Sequence, residues 1–281
     1  LAVIDGTAID ARRGTGFQPS HGQIQFAQPC GKRHRGRVAH ASRLKVFQTD
    51  MDQAGQERTR SQHHRAATEH DAEGRRLTIL NTGSEDRFIE VTSYLEPVIA
   101  QDDADSAHPL FSRMFIRTEF GRRRDVIRAE RNKRSPGDAD MCVAHLVVDS
   151  TGPGRPTEFE TDRRRFLGRG RSLDEAAAFD PGATLSGTEG FTLDPILSLR
   201  RVFRVPSGKK VSVIFWTIAA PNREKIDQAI ERYRHPDAFS HELIHAWTRA
   251  QVELRHIGIT SQQAAAFQHL GRYLVYPATP L

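Results

Sequence analysis

Between residues 76 and 220 the chain is broken at short intervals. Runs of β-branched and aromatic residues alternate with turn signals at a spacing of about 8–12 residues. Strands this short and frequent leave little choice but antiparallel layers packed face to face. Residues 76–81 (Arg-Leu-Thr-Ile-Leu-Asn) read as a strand, residues 82–86 as a turn, and residues 87–100 as a long strand paired antiparallel to the first. Within the long strand Phe88, Glu90, Thr92 and Tyr94 take one face, and Ile89, Val91, Ser93 and Leu95 the other. Residues 102–108 form an acidic loop. Residues 114–120 and 126–132 alternate as strands, and residues 142–149 are apolar enough to be covered on both faces. Residues 159–166 read as a strand or arm, and residues 173–178 as a short helical turn. The clearest signal is Val211, Val213, Phe215 and Thr217 alternating with Ser212, Ile214, Trp216 and Ile218. It predicts a hairpin with residues 201–205 across Pro206-Ser207-Gly208-Lys209.

After Pro221 the period changes to that of a helix. Asn222 caps a first helix with Ile226, Ala229, Ile230 and Tyr233 on one face. Pro236 opens a second, carrying Phe239, Leu243, Trp247, Ala250 and Leu254. Thr260 or Ser261 caps a third, with Phe267, Leu270 and Leu274. Residues 75–220 therefore read as a sandwich domain and residues 221–281 as a helical linker. Residues 1–74 are different. They hold many Gln, His and Arg and few aliphatics, so they bury too little to offset the entropy of ordering. Residues 21–73 read as disordered or as translated from a shifted frame, and the whole chain reads as a fragment of something longer.

Charge narrows the partners. The formal net charge is +6, but most of the excess lies in the first 75 residues, and the patterned remainder mixes both signs. This is a solvated surface and not a nucleic-acid groove. No apolar run approaches the roughly 18 residues a membrane span needs. Cys30 and Cys142, far apart and without metal-type spacing, read as separate reduced thiols, which fits a cytoplasmic chain.

Few residues invite chemistry. His241-Glu242-Leu243-Ile244-His245 matches the His-Glu-x-x-His pattern, in which two His on one helix face ligate zinc and the Glu acts as base. The metzincin continuation is missing: Thr248 stands at its Gly and Gln251 at its third His. His241 and His245 are therefore rejected as ligands. Carboxylate pairs such as Glu158 with Glu160, or Asp174 with Glu175, suit glycoside chemistry but are not ranked by anything in the sequence. The runs Arg122-Arg123-Arg124 and Arg163-Arg164-Arg165 read as solvated or ion-paired, and Gly168-Arg169-Gly170 lacks the third Gly of a dinucleotide loop. Trp216 and Phe215 read as core.

A resemblance supplies what the chemistry does not. It rests on Glu90-Val91-Thr92-Ser93-Tyr94, Ala107-His108-Pro109-Leu110-Phe111-Ser112, Thr118-Glu119-Phe120, and Arg134-Ser135-Pro136-Gly137 with Ala144-His145. It continues through Glu160-Thr161-Asp162-Arg163, Gly168-Arg169-Gly170, Leu185-Ser186-Gly187-Thr188, Asp194-Pro195-Ile196 with Ser198-Leu199-Arg200, and Phe215-Trp216-Thr217. In this order they resemble the phosphorylase-like region of bacterial cyclic β-1,2-glucan synthases, which belongs with cellobiose and chitobiose phosphorylases in glycoside hydrolase family 94. Ala246-Trp247-Thr248, Ala250-Gln251-Val252 and Leu254-Arg255-His256 are similar to that family's linker. The resemblance implies a mainly β fold: a large antiparallel supersandwich, then linker helices, then an (α/α) barrel that this chain lacks. It implies that the catalytic acid lies in the barrel, so no catalytic residue carries over, and that inorganic phosphate is the co-substrate, with no other cofactor. Expected partners are a β-glucan, the barrel of the same polypeptide and a second copy of the chain; the parent would be attached to the bacterial inner membrane by other segments. Gly16-Phe17-Gln18-Pro19 resembles an early sandwich element, which makes Phe17 and Gln18 the candidate sugar contacts. A stand-alone carbohydrate-binding module is the alternative.

Overall fold

The computed structural model describes residues 45–50, 59–66, 71–100, 102–121, 125–133, 141–149 and 156–275. Among the described residues eleven strands form two antiparallel sheets: β1 (Lys45–Asp50), β2 (Thr59–Ala66), β3 (Asp71–Leu80), β4 (Arg87–Tyr94), β5 (Ile116–Gly121), β6 (Val126–Arg131), β7 (Cys142–Asp149), β8 (Glu158–Asp162), β9 (Gly190–Phe191), β10 (Pro195–Val205) and β11 (Lys210–Ala220). The smaller sheet runs β1-β4-β10-β8 and the larger β2-β3-β11-β7-β6-β5-β9. Helices α1 (Asp102–Ala107) and α2 (Pro109–Arg113) follow β4, α3 (Arg163–Leu167) follows β8, and α4 (Arg223–Tyr233), α5 (Ala238–His256) and α6 (Ser261–Val275) close the chain. The mainly β sandwich followed by helices is as the strand rhythm implies. The acidic stretch after residue 101 is helical, and the arm after residue 158 turns into α3 at Asp162. There the Asp162 carboxylate accepts a hydrogen bond from the Arg164 backbone N–H at 2.9 Å. Strands β1 and β2, and the start of β3, lie upstream of residue 75 where the sequence shows no alternation. They belong to the sheets through backbone pairing with β4 and β3.

Two expected hairpins are not hairpins. β3 pairs with β11, and β4 with β10, so each tight connection crosses from one sheet to the other. The two crossings hold each other. The Asn81 N–H donates to the Lys209 carbonyl at 3.0 Å, the Gly208 N–H donates to the Asn81 carbonyl at 2.9 Å, and Asn81 Nδ2 donates to the Val205 carbonyl at 2.9 Å. Alternation in β11 reflects burial on both faces, not a partner across the turn. Val211, Val213 and Phe215 join Ile89, Val91 and Leu199 between the sheets, whereas Ile214, Trp216 and Ile218 face α4 and α5 with Ile226, Ile230, Tyr233 and Phe239.

One titratable group sits in the intersheet core. His145 on β7 is fully buried and stacks on Phe215, with Nε2 2.8 Å from Ser93 Oγ of the opposite sheet and Nδ1 3.1 Å from Thr217 Oγ1. Burial, reinforced by the Arg75 charge, lowers its pKa to about 3. The unfolded chain takes up this proton first, near pH 6.5. Stability from the neutral ring is therefore complete above that pH and is lost as pH falls from about 6.5 towards 3. Urea unfolding should show a loss of roughly 2 kcal/mol between pH 7 and pH 5 that is absent from a His145→Asn variant. Equal pH slopes in the two proteins would count against it.

Candidate functional site

The sequence motifs scattered between residues 94 and 195 come together at one end of the sandwich. Arg113 closes α2, Arg163 opens α3, Asp194 precedes β10, and Glu96 follows β4. Arg163 reaches Glu96 Oε1 and Asp194 Oδ2, each at 3.2 Å, and Arg113 reaches Glu96 Oε2 and Asp194 Oδ1, each at 3.3 Å. Two guanidinium groups and two carboxylates thus alternate in a closed ring with no net charge. Tyr94 donates to Glu96 Oε1 at 2.7 Å and accepts from Arg163 Nε at 3.1 Å. Burial, and then the Glu96 charge, push the Tyr94 hydroxyl well above the ordinary tyrosine range, so it stays a donor. Burial works against the Arg163 charge, but Tyr94, Glu96 and Asp194 outweigh it and raise its pKa.

Apolar side chains flank the ring in the open. Leu110, Phe111 and Met114 lie on or beside α2, and Phe191 and Leu193 beside Asp194; Phe111 and Phe191 are each 56% exposed. β9 pairs with β5, with Phe191 opposite Arg117. The His108 ring stands edge-on to Phe111 at a centroid distance of 6.1 Å. Beside this end, residues 168–189 run without long regular structure across the outer face of the four-stranded sheet. Buried charges hold them. Glu160 Oε2 accepts from the Ser186 N–H at 3.2 Å while Oε1 accepts from the N–H groups of Thr161 and Asp162, both at 2.9 Å. Fully buried Arg200 donates to the carbonyls of Ala178 and Ala183 and to Thr92 Oγ1. Ala176 and Ala178 of this strap pack with Phe166 against Tyr94 and Ile196.

The other sequence candidates fall elsewhere. Phe17, Gln18, Cys30 and Arg122-Arg123-Arg124 lie outside the described residues. Glu242 is turned into the protein, paired with Arg232 at 3.1 Å, while His241 and His245 are exposed. Among the described residues no three His, Cys, Asp or Glu side chains gather as a metal site would require, and no helix is long and apolar enough to cross a membrane. Of the paired carboxylates, Glu158 and Glu160 serve the strap, Glu158 through the Leu185 N–H at 3.0 Å. Cys142, Phe215 and Trp216 are core. Sequence reasoning missed Glu96, Arg113, Phe191 and Leu193 as site residues. The available signal was Glu96 standing alone before the apolar residues Pro97 to Ala100, where a charge needs a partner.

Comparison with known proteins follows the same lines. The supersandwich-domain model of glycosyl hydrolase 94 matches residues 25–236. This takes in part of the stretch before residue 75 in which the sequence alone shows no likeness. The cyclic beta-(1,2)-glucan synthase NdvB of Rhizobium meliloti (strain 1021) is 75% identical over 211 residues. That is 75% of this chain, and the match spans 8% of that synthase's length. Among solved structures, a polysaccharide lyase aligns over 62% of this chain and 21% of its own, at 14% identity and a TM-score of 0.35.

Proposed function

Because the chain belongs to the glycosyl hydrolase 94 supersandwich-domain family, we propose that it is the non-catalytic sandwich of a cyclic β-1,2-glucan synthase, framing the glucan site of a barrel domain carried elsewhere on the polypeptide. The observation that supports this reading most is the supersandwich-domain match over residues 25–236, joined by 75% identity over 211 residues to a cyclic beta-(1,2)-glucan synthase. The catalytic acid and the handling of inorganic phosphate belong in this reading to the barrel. The work takes place on the cytoplasmic side, with the parent held at the bacterial inner membrane by segments outside this chain.

The linker helices favour a scaffold over a stand-alone binding module. Ile244, Trp247, Val252, Ile257, Phe267 and Leu270 on and between α5 and α6 are all more than half exposed. Apolar side chains gathered on one helical pair mark a surface that is covered in the working protein. The test is activity. Incubated with a β-1,2-glucan and inorganic phosphate, this chain alone is expected to release no sugar phosphate, whereas a polypeptide extended through a barrel releases it. Measurable release by the chain alone would overturn the assignment.

A further inference from the structure

We propose that a cavity of about 90 Å³ between the larger sheet and the start of α5 binds the carboxylate group of a small organic acid, held by Arg76. Arg76 of β3, Asp149 of β7, Ser212 of β11, and Phe239 and Ser240 in the first turn of α5 line it. Arg76 marks the site. Its guanidinium carbon lies 4.6 Å from the centre of the Phe239 ring, a contact that fixes the group without using its hydrogen-bond donors. Nε is buried and has no acceptor, and among the described residues no ion pair reaches this side chain. Burial lowers the Arg76 pKa, and no acidic neighbour offsets it. Buried donors are as a rule paired, so this one calls for an acceptor from outside the described chain. The other lining residues narrow the anion. A carboxylate presents two oxygens at the spacing of the guanidinium fork. The cavity has the liquid volume of about three waters, which suits that group and little more. Asp149 is paired with Arg201 at 2.7 Å, which offsets its charge without abolishing it, so it repels a doubly charged oxyanion about twice as strongly as a singly charged one. No acidic residue stands in the first turn of α5, whose positive end adds to the attraction, and exposed Pro236 and Ser240 leave a way in from solvent. The inference is independent of the glucan assignment.

The experiment titrates sodium acetate into the nitrogen-labelled chain at pH 6.5, with sodium chloride holding the ionic strength constant. Nuclear magnetic resonance follows the Arg76 Nε–Hε signal, identified by its loss in Arg76→Gln, and the Ser240 amide. Both are expected to shift saturably, with a midpoint on the order of millimolar for so small a ligand. Arg76→Lys keeps the charge but loses the fork, and should weaken binding about threefold or more; Arg76→Gln should abolish the Ser240 response. Sulfate, a dianion at this pH, should bind at least about threefold more weakly than acetate. Because Arg76 has no internal ion pair to lose, Arg76→Gln should melt within about 4 °C of the unsubstituted chain. No saturable shift with acetate overturns the site, as does a Ser240 response that persists in Arg76→Gln. Sulfate binding as tightly as acetate overturns the choice of a carboxylate. A larger fall in melting temperature would mean that Arg76 already has a partner within the protein, and would also sink the proposal.

Discussion

Replacing Arg200 with Ala should destabilise the sandwich by about 3–5 kcal/mol, the loss typical when one partner of a buried ionic cluster is removed. The side chain is 2% exposed, and its partners come from three directions. Nε meets Thr92 Oγ1 at 3.1 Å and Glu90 at 3.2 Å on the neighbouring strand, while the two terminal nitrogens donate to the carbonyls of Ala183 and Ala178 on the strap. Without Arg200 those carbonyls lose their donor. Glu90 is also affected: burial already raises its pKa, Arg200 opposes that, and the Glu158 charge adds to it. The substitution therefore drives the Glu90 pKa further up. Urea denaturation monitored by far-UV circular dichroism reads the loss, and protease cleavage within residues 168–189 should accelerate with it. A loss below about 1 kcal/mol would mean that the strap is held by its apolar contacts alone.

The second large effect belongs to Trp216. Trp216→Ala should cost about 3–5 kcal/mol, because the indole is fully buried and fills the space between the larger sheet and the helices. Its ring lies 4.5 Å from that of Tyr233 and 5.9 Å from that of Phe239, centroid to centroid, and on the other side it rests on Gly74, its partner across the β3–β11 pairing. A Cβ at Gly74 would come within 2.7–2.9 Å of the indole carbons. Gly74→Val is thus expected to cost a further 1–3 kcal/mol through overpacking, with the indole unable to retreat against Tyr233. The two changes share one space, so their effects should not add. Gly74→Val in a Trp216→Ala background should be nearly neutral, and a cycle of equilibrium unfolding measurements shows whether it is. Strict additivity would place the valine clash somewhere other than the indole.

These residues show where the sequence was legible. Trp216 announced itself as core through the alternation of β11, and that alternation identified the strand correctly. It did not identify its neighbour. Period-2 patterning reports which faces are buried, and a strand buried on both faces looks the same whether it turns back on itself or crosses to the other sheet. Gly74 was invisible for the opposite reason: in a polar stretch a glycine reads as a break, and only the cross-strand indole makes it a seat. The candidate site was half legible. Leu110, Phe111, Arg163 and Asp194 lie inside recognisable motifs, yet their meeting depends on loops that no periodicity describes. Glu96 and Arg113 have meaning only once those loops are closed around them.

The crossed pairing of β3 with β11 and β4 with β10 sets the order in which this protein can be made. Arg200 and Thr92 touch although 108 residues separate them, and the β3–β11 partners are further apart still, from Leu80 with Lys210 to Asp71 with Ala219. At usual rates of synthesis β3 and β4 leave the ribosome roughly 5–30 s before their partners exist. Contacts this remote in sequence make folding slow, and strands awaiting a partner expose pairing edges to any neighbouring chain. The sandwich is therefore a late product of translation: a nascent chain stopped short of residue 195 lacks β10 inside the smaller sheet, β11 inside the larger one, and the crossing between them.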